Sequence, residues 1–408
     1  MNIRLVRWID IWVGIPLTYL FYAVKKALGV FPLSPRRGEE AAYSRILLIK
    51  FWGIGNIAMM LPAALSLRSR YPQAKLDFLT LKRNKPVALA SGCFDNVYGI
   101  SSVGFIAFIS STLRKLFMLR RNAYDLVIDF EQFARFSAIF SALIARGQTI
   151  GFNTKGQHRQ VLFGRAVPYD NAIHIVRSFC SLTEEAGAAP QRSMPRGHYL
   201  VSSAADIESV KRLIGAVAGS GRKMVVLHVG TSDNFTLRRW PLEYFAELAD
   251  RIIEAFGATV VFSGMREESF LVKEAVLLMR NRSLAIDLSG KLNFKTFLAL
   301  LSLADLTICA DTAPVHLASC LNRPVVGLYG PNTPFLYGPW GEKGIFFYKS
   351  FSCSPCITNF NAKINRCRHP QGQGACMRAL SVDEVFKGVS DYYLKPQARF
   401  SESVRKAA

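Results

Sequence analysis

Two doubly wound α/β domains are what this sequence predicts, and three observations predict them. Short, continuously apolar runs alternate with stretches of helical apolar spacing along most of the chain, the pattern of parallel strands buried on both faces and of their crossover helices. Glycine-bearing turns stand at the carboxyl ends of several of these runs, where open α/β sheets take their ligands. At 408 residues the chain exceeds one compact core.

Taken in order, the first element is an almost wholly apolar run from Trp8 to Val24. It carries Asp10 and Pro16, is short for a spanning helix, and has Arg4, Arg7, Lys25 and Lys26 at its flanks. Trp8, Trp12, Tyr19 and Tyr22 beside a basic rim predict a segment lying on an anionic membrane surface. A helix docked on the protein's own surface is the alternative. No small-x-small site follows before Pro32, Pro35 and the charged linker Arg36 to Glu40, which argues against a signal peptide.

Arg45 to Phe51 then predicts a buried strand closed by Gly53-Ile54-Gly55-Asn56, followed by a helix over Leu61 to Tyr71 and a strand over Lys75 to Leu81. A basic amphipathic stretch (Phe105 to Arg121), a strand (Asp125 to Phe130), a helix (Phe133 to Ala145), a short strand (Thr149 to Phe152) and a helix (His174 to Ala186) continue the alternation. The Gly/Pro-rich Gly187 to Gly197 reads as an interdomain connection. Strands at Lys223 to His228, Ala258 to Ser263, Leu306 to Cys309 and Pro324 to Leu328 then alternate with helices at Leu242 to Phe256, Glu267 to Met279, Phe294 to Leu303 and Ala313 to Cys320. The expected organisation is 1–42 as membrane-associating segment and linker, 43–200 and 201–350 as two Rossmann-like domains facing across a cleft, and 351–408 as a cysteine-containing segment with a terminal helix.

Charge narrows the partners. With 51 Lys+Arg against 29 Asp+Glu the net charge is +22, so the partners are anionic. The positive charge is dispersed and no nucleic-acid module is present, which excludes nucleic acid and leaves a membrane surface or phosphorylated substrates. Eight cysteines are too few for a disulfide scaffold, and Cys93, Cys180, Cys309 and Cys320 lie singly in apolar segments, as in a reducing cytoplasm.

Four sets of residues carry chemistry. Asp311-Thr312-Ala313-Pro314-Val315-His316 follows a strand and opens a helix, so its amides can receive a phosphate; a capped turn with a core histidine is the plain alternative. Gly327 to Pro331 ends the next strand beside it. Gly230-Thr231-Ser232 and Arg238-Arg239-Trp240-Pro241 combine hydroxyls and guanidinium forks into a diphosphate clamp, or form a solvated loop before a helix. In the first domain Gly53, Gly55 and Asn56 lack the spacing of a P-loop, and Asp129 and Glu131 at a strand end are candidate general bases. Cys353, Cys356, Cys367 and Cys376, spaced C-x2-C-x10-C-x8-C, are compatible with a structural zinc or with free or redox-paired thiols.

The ordered segments ILLIKFWGIGN, DLVIDFEQFARFSA, GTSDNFTLRRWPLEYF, SGMREE, ADLTICADTAPVHLAS and PVVGLYGPNTP resemble glycosyltransferase family 9, the lipopolysaccharide heptosyltransferases, over roughly residues 45 to 340. The resemblance implies a GT-B fold and an inverting transfer, needing no metal or other cofactor, of a heptose from ADP-heptose to a phosphorylated lipopolysaccharide-core glycolipid. It places the enzyme in the cytoplasm, peripherally on the inner membrane, with its first domain towards the acceptor and its second holding the donor. Carried over by position, Thr231 and Ser232 bind the diphosphate, Arg238 stands for the family's lysine, Glu268 faces the nucleoside, and Asp311, Thr312, Ala313 and His316 match D-T-G-P-x-H with alanine for glycine. Asn56 replaces the family's proposed catalytic aspartate, and an amide is no base near neutral pH. Glu131 is the expected substitute and Asp129 the second, with Arg238 neutralising the leaving diphosphate. The rival expectations are a catalytically silent binding protein of the same fold and a transferase using another nucleotide sugar; an acceptor-free epimerase is disfavoured by the membrane-directed segments.

Overall fold

The computed structural model describes residues 10–27, 43–191, 194, 197–215, 221–231, 233–358 and 366–394. Arg4, Arg7, Trp8, the linker through Pro32, Pro35 and Arg36 to Glu40, and Ser232 lie outside the described residues, as does the side chain of Lys25. Two compact units divide the chain, Met1–Pro195 and Arg196–Ala408.

In the first unit β1 (Arg45–Ile49), β2 (Lys75–Leu81), β3 (Asn96–Ile100), β4 (Leu126–Asp129), β5 (Gln148–Asn153) and β6 (Arg165–Pro168) form one parallel sheet in the order β3-β2-β1-β4-β5-β6. The second unit repeats the plan with β7 (Met224–His228), β8 (Thr259–Ser263), β9 (Ala285–Asp287), β10 (Leu306–Ala310), β11 (Val325–Tyr329) and β12 (Gly344–Tyr348), ordered β12-β11-β10-β7-β8-β9. Strand order therefore reverses between β1 and β4 and again between β7 and β10, and at such switch points the helices diverge to opposite faces and open a crevice at the carboxyl ends. Register fixes what meets there: Ile49 pairs with Asp129, and His228 with Cys309.

Four strands escaped the sequence reading, β3, β6, β9 and β12, and they are the two edges of each sheet. The first helix of the first unit also differs, running Ile54–Arg70 rather than from Leu61, with Pro62 inside it. Gly53, at φ +82°, makes the turn that lets the helix begin directly after β1, a conformation only glycine adopts without strain.

The amino-terminal helix Gly14–Ala27 docks on the first unit, the alternative the sequence left open. Phe21 and Tyr22 pack against Ala138, Ala142, Leu162 and Phe163, and Asp10 accepts from the Arg135 and Phe136 amides at 2.9 and 3.2 Å. Its other face leaves Trp12, Leu17, Leu20 and Val24 exposed. No helix among the described residues is long and apolar enough to cross a membrane. At the other end of the chain, Leu380, Val385 and Val389 join the core of the second unit, where the buried Trp240 indole donates to the Leu380 carbonyl at 2.9 Å.

Candidate functional site

At the β1/β4 switch point, one carboxylate organises the strand ends. Glu131 Oε1 accepts from the backbone amides of Phe51 and Trp52 at 2.7 and 2.9 Å, and Oε2 pairs with Lys50 Nζ at 2.8 Å; both side chains are almost wholly buried. Those three donors engage its oxygens, so that Glu131 holds the turn that carries Gly53, Gly55 and Asn56. Asp129 is no freer. It is fully buried, pairs with Arg159 and accepts the Glu131 amide at 2.9 Å; burial pushes its carboxyl above the ordinary range, against the pull of Arg159. Asn56 lies in the first turn of the helix, half-buried, its amide 3.5 Å from the Trp52 carbonyl. Both carboxylates that the sequence names at this end of the first sheet are thus buried and hydrogen-bonded.

The β7/β10 switch point gathers the second set. Arg238 ends a 3-10 turn over Asp233–Arg238 and places Nη1 3.1 Å from Asp311 Oδ2 and 3.2 Å from the Asp311 carbonyl. Asn332, just beyond β11, donates to the same carboxylate oxygen at 2.7 Å. The guanidinium is thus already engaged, and the Asp311 carboxylate is spent on two donors instead of capping a helix. Thr312 does not cap either: its hydroxyl donates to the Ala310 carbonyl at 3.1 Å. The helix Ala313–Cys320 accordingly opens without a side-chain cap, and His316 is buried one turn inside it. Thr231 follows β7 with its hydroxyl buried and, among the described residues, without a hydrogen-bond partner. Unsatisfied buried hydroxyls are uncommon and mark places where a ligand or water completes the bonding.

Glu268 closes the set on the β8 side. Its carboxylate accepts the Met265 amide at 2.8 Å and lies so close over Gly230 that a Cβ there would stand 1.9 Å from Oε2. His228, which the sequence reading missed, ends β7 with Nδ1 3.0 Å from Ser263 Oγ. Burial holds its pKa down at about 4, against an upward pull from Glu268. Asn332 was missed too; its signal was only its place directly after the Gly327 to Pro331 loop.

Cys353, Cys356, Cys367 and Cys376 line one small cavity together with His369, Leu237, Pro331 and Gly374. All eight cysteines are free. Burial raises the Cys376 thiol to about 11, and the neighbouring Cys356, Cys367 and Cys353 push it the same way. As they stand, no group of three or more His, Cys, Asp or Glu side chains among the described residues is arranged to hold a metal ion. The segment is tied to the β11 loop: Cys356 and Ile357 amides donate to the Pro331 carbonyl at 2.9 Å, and Ser354 Oγ to the Gly330 carbonyl at 3.0 Å.

Two parallel sheets whose switch points carry these clusters are the setting in which known proteins become informative. The family model described as glycosyltransferase family 9 (heptosyltransferase) matches residues 113–364. The chain belongs to glycosyltransferase family 9. This family 9 member is 24% identical over 301 residues to lipopolysaccharide heptosyltransferase 3 of Escherichia coli, covering 72% of this chain and 86% of that protein. Its fold is similar to that of a family 9 glycosyltransferase from Veillonella parvula, with a TM-score of 0.73 at 20% identity over 87% of this chain and 99% of the other. It is similar as well to E. coli ADP-heptose lps heptosyltransferase II, with a TM-score of 0.68 at 19% identity over 87% and 100%. The expected α/β fold of the GT-B class and the glycosyltransferase class of the enzyme both stand.

Two outcomes test this geometry. Glu131→Gln leaves Lys50 buried without its charge partner and is expected to destabilise the protein by about 3 kcal/mol in thermal unfolding, while replacing both residues by methionine costs less; a Gln variant as stable as the parent contradicts the positioning role. His228 stays neutral in the folded protein between its ordinary 6.5 and about 4, whereas the unfolded chain takes up a proton there. Stability present above that window is therefore lost as pH falls through it, and denaturation of His228→Gln at pH 7 and pH 5 should show a smaller drop.

Proposed function

We propose that this family 9 glycosyltransferase moves a heptose from ADP-heptose to a phosphorylated lipopolysaccharide-core or related glycolipid acceptor, with inversion and with no metal at the reacting centre. The observation that carries the reading is the polar cluster at the β7/β10 switch point: an unpartnered buried Thr231 hydroxyl, an uncapped helix start at Ala313, and the Arg238 guanidinium held by Asp311. Amides, a hydroxyl and a guanidinium at one strand edge suit a diphosphate. The names of the E. coli relatives, a lipopolysaccharide heptosyltransferase and an ADP-heptose enzyme, supply the sugar and the nucleotide.

In this reading Thr231, Ser232, Arg238, Thr312, Ala313 and His316 hold the sugar diphosphate, Asp311 sets Arg238, and Glu268 meets the nucleoside. An acceptor oxygen attacks the anomeric carbon, the bond from that carbon to the diphosphate oxygen breaks, and Arg238 with the helix start balances the charge that develops on the leaving group. The acceptor proton goes to a carboxylate at the β1/β4 strand ends, where Asn56 offers none and Glu131, then Asp129, are the expected substitutes, both already hydrogen-bonded. The amide at Asn56 is the observation favouring a second reading, a binding protein of the same fold that performs no transfer.

The acceptor is embedded in a membrane, so the enzyme works at the cytoplasmic face of the inner membrane as a peripheral protein. The exposed apolar faces of the helices Gly14–Ala27 and Phe105–Arg121 support this. The four-cysteine cavity is proposed as a structural zinc site that is not formed as the side chains stand: four soft sulfur donors and an imidazole line one small space, and the thiols would have to close around the ion.

Calorimetry of the intact protein with ADP-heptose, ADP and UDP-, GDP- and dTDP-sugars is the test. ADP-heptose is expected to bind selectively, with Asp311→Asn weakening it by at least about tenfold. Preference for another nucleotide sugar overturns the heptose assignment, and selective binding with no transfer to a phosphorylated glycolipid supports the second reading. Elemental analysis of the purified protein should find stoichiometric zinc; metal-free protein with all four thiols reactive in the native state overturns that assignment.

A further inference from the structure

Against the edge strand β3, Lys82 and Lys85 from the turn after β2 and Arg114 and Lys115 from the helix Phe105–Arg121 line an open groove of about 500 Å3 with Tyr98 and Gly99. None of these residues belongs to the clusters at the switch points. The groove is built to hold the cations together. A Cβ on Gly99 would stand 3.0 Å from Cα and Cγ of Lys82 and from Cδ of Lys85, so the bare strand is what lets both lysine stems lie across it. Lys115 Nζ lies 5.4 Å from the centre of the Tyr98 ring. Its pKa is lowered by burial first, then by Lys85, Arg114 and Lys82.

Among the described residues no countercharge lines the groove. Among the described residues none of the four cations forms an ion pair. Asp77, which the Tyr98 hydroxyl approaches at 3.5 Å, is fully buried and accepts from Asn96 at 2.8 Å and Tyr124 at 2.6 Å. Four like charges gathered without a partner repel one another, and an anion in the groove relieves that repulsion.

The helix that supplies Arg114 and Lys115 also turns an apolar stripe outward. Ile106 is 83% exposed and Phe117 66%, with Ile109 and Leu113 between them at helical spacing. On its inner side Phe108 meets Phe136 of the helix Arg135–Ile144, and the amino-terminal helix, with its own exposed Trp12, Leu17 and Leu20, packs on that same helix. A soluble anion needs no apolar border, whereas an amphiphile with an anionic head does.

We propose that this groove seats the headgroup phosphate of an anionic membrane lipid while the stripe Ile106, Ile109, Leu113 and Phe117 enters the bilayer interface. The inference rests on the membrane-surface reading above and gives it a site. Each lysine near an anionic surface contributes about 1 kcal/mol, which is about a fivefold change in binding per lysine removed.

Lysine acetylation of the intact protein, read by mass spectrometry, tests it without any variant. Phosphatidic acid vesicles are expected to protect Lys82, Lys85 and Lys115, while phosphatidylcholine vesicles do not; pyrophosphate in solution is the third arm. Protection by pyrophosphate alone makes the groove a soluble-anion site and overturns the lipid assignment, and no protection in any arm overturns the groove. Co-sedimentation then separates the two readings. Lys82→Gln/Lys85→Gln should weaken binding to phosphatidic acid vesicles by about 25-fold while ADP binding stays unchanged. Parent protein that binds no vesicle refutes the membrane reading, whereas a double variant that binds like the parent refutes only the groove.

Discussion

Burial of both faces of a parallel sheet confines its polar chemistry to one edge. Every strand of this enzyme except the outermost is largely covered on both sides, so most ionisable groups stand where strands end and helices begin, Asp77 inside β2 being an exception held by Asn96 and Tyr124. The strand order reverses at one place in each sheet, and there the covering helices part. Each unit places a buried, hydrogen-bonded carboxylate at that gap. Glu131 ties the end of β1 to the end of β4, and Asp311 ties the end of β10 to Arg238 and Asn332.

The two carboxylates nevertheless do different work. Glu131 is surrounded by donors that belong to its own unit's interior, so its charge is consumed in shaping a turn. Asp311 holds a guanidinium and an amide at the mouth of a crevice, close to an uncapped helix start, so its bonds orient groups that still face outward. One is spent on the fold and the other on the site. Asn56 stands in the turn that Glu131 shapes, and it brings an amide there rather than a carboxylate.

How much of this was legible depended on burial. The eight inner strands announced themselves because strands covered on both faces must be continuously apolar, as in Ile46 to Ile49 or Val225 to Leu227. The edges β3, β6, β9 and β12 mix polarity, as in Asn96–Ile100 and Arg165–Pro168, and no periodicity distinguishes them from loop. The helix Ile54–Arg70 was read too short because a glycine pair and Pro62 imitate a turn locally, while the tertiary setting overrides their weak preferences. Residue types place Thr231 and Asp311 directly after strands, as the structure does, yet cannot say that Glu131 is bonded by Phe51 and Trp52, since backbone amides leave no trace in side-chain identity. Asn332 and His228 stayed hidden for the same reason, their roles being set by a neighbour across the sheet.

The cysteine cavity touches this arrangement at two points. Leu237 and Pro331 form part of its wall, and they directly adjoin Arg238 and Asn332, the two residues that grip Asp311. The sulfur-bearing segment and the strand ends that hold Asp311 therefore share a wall. Were the order of that segment to change affinity at the crevice, reciprocity would require a bound ligand to change the order of the segment by the same factor.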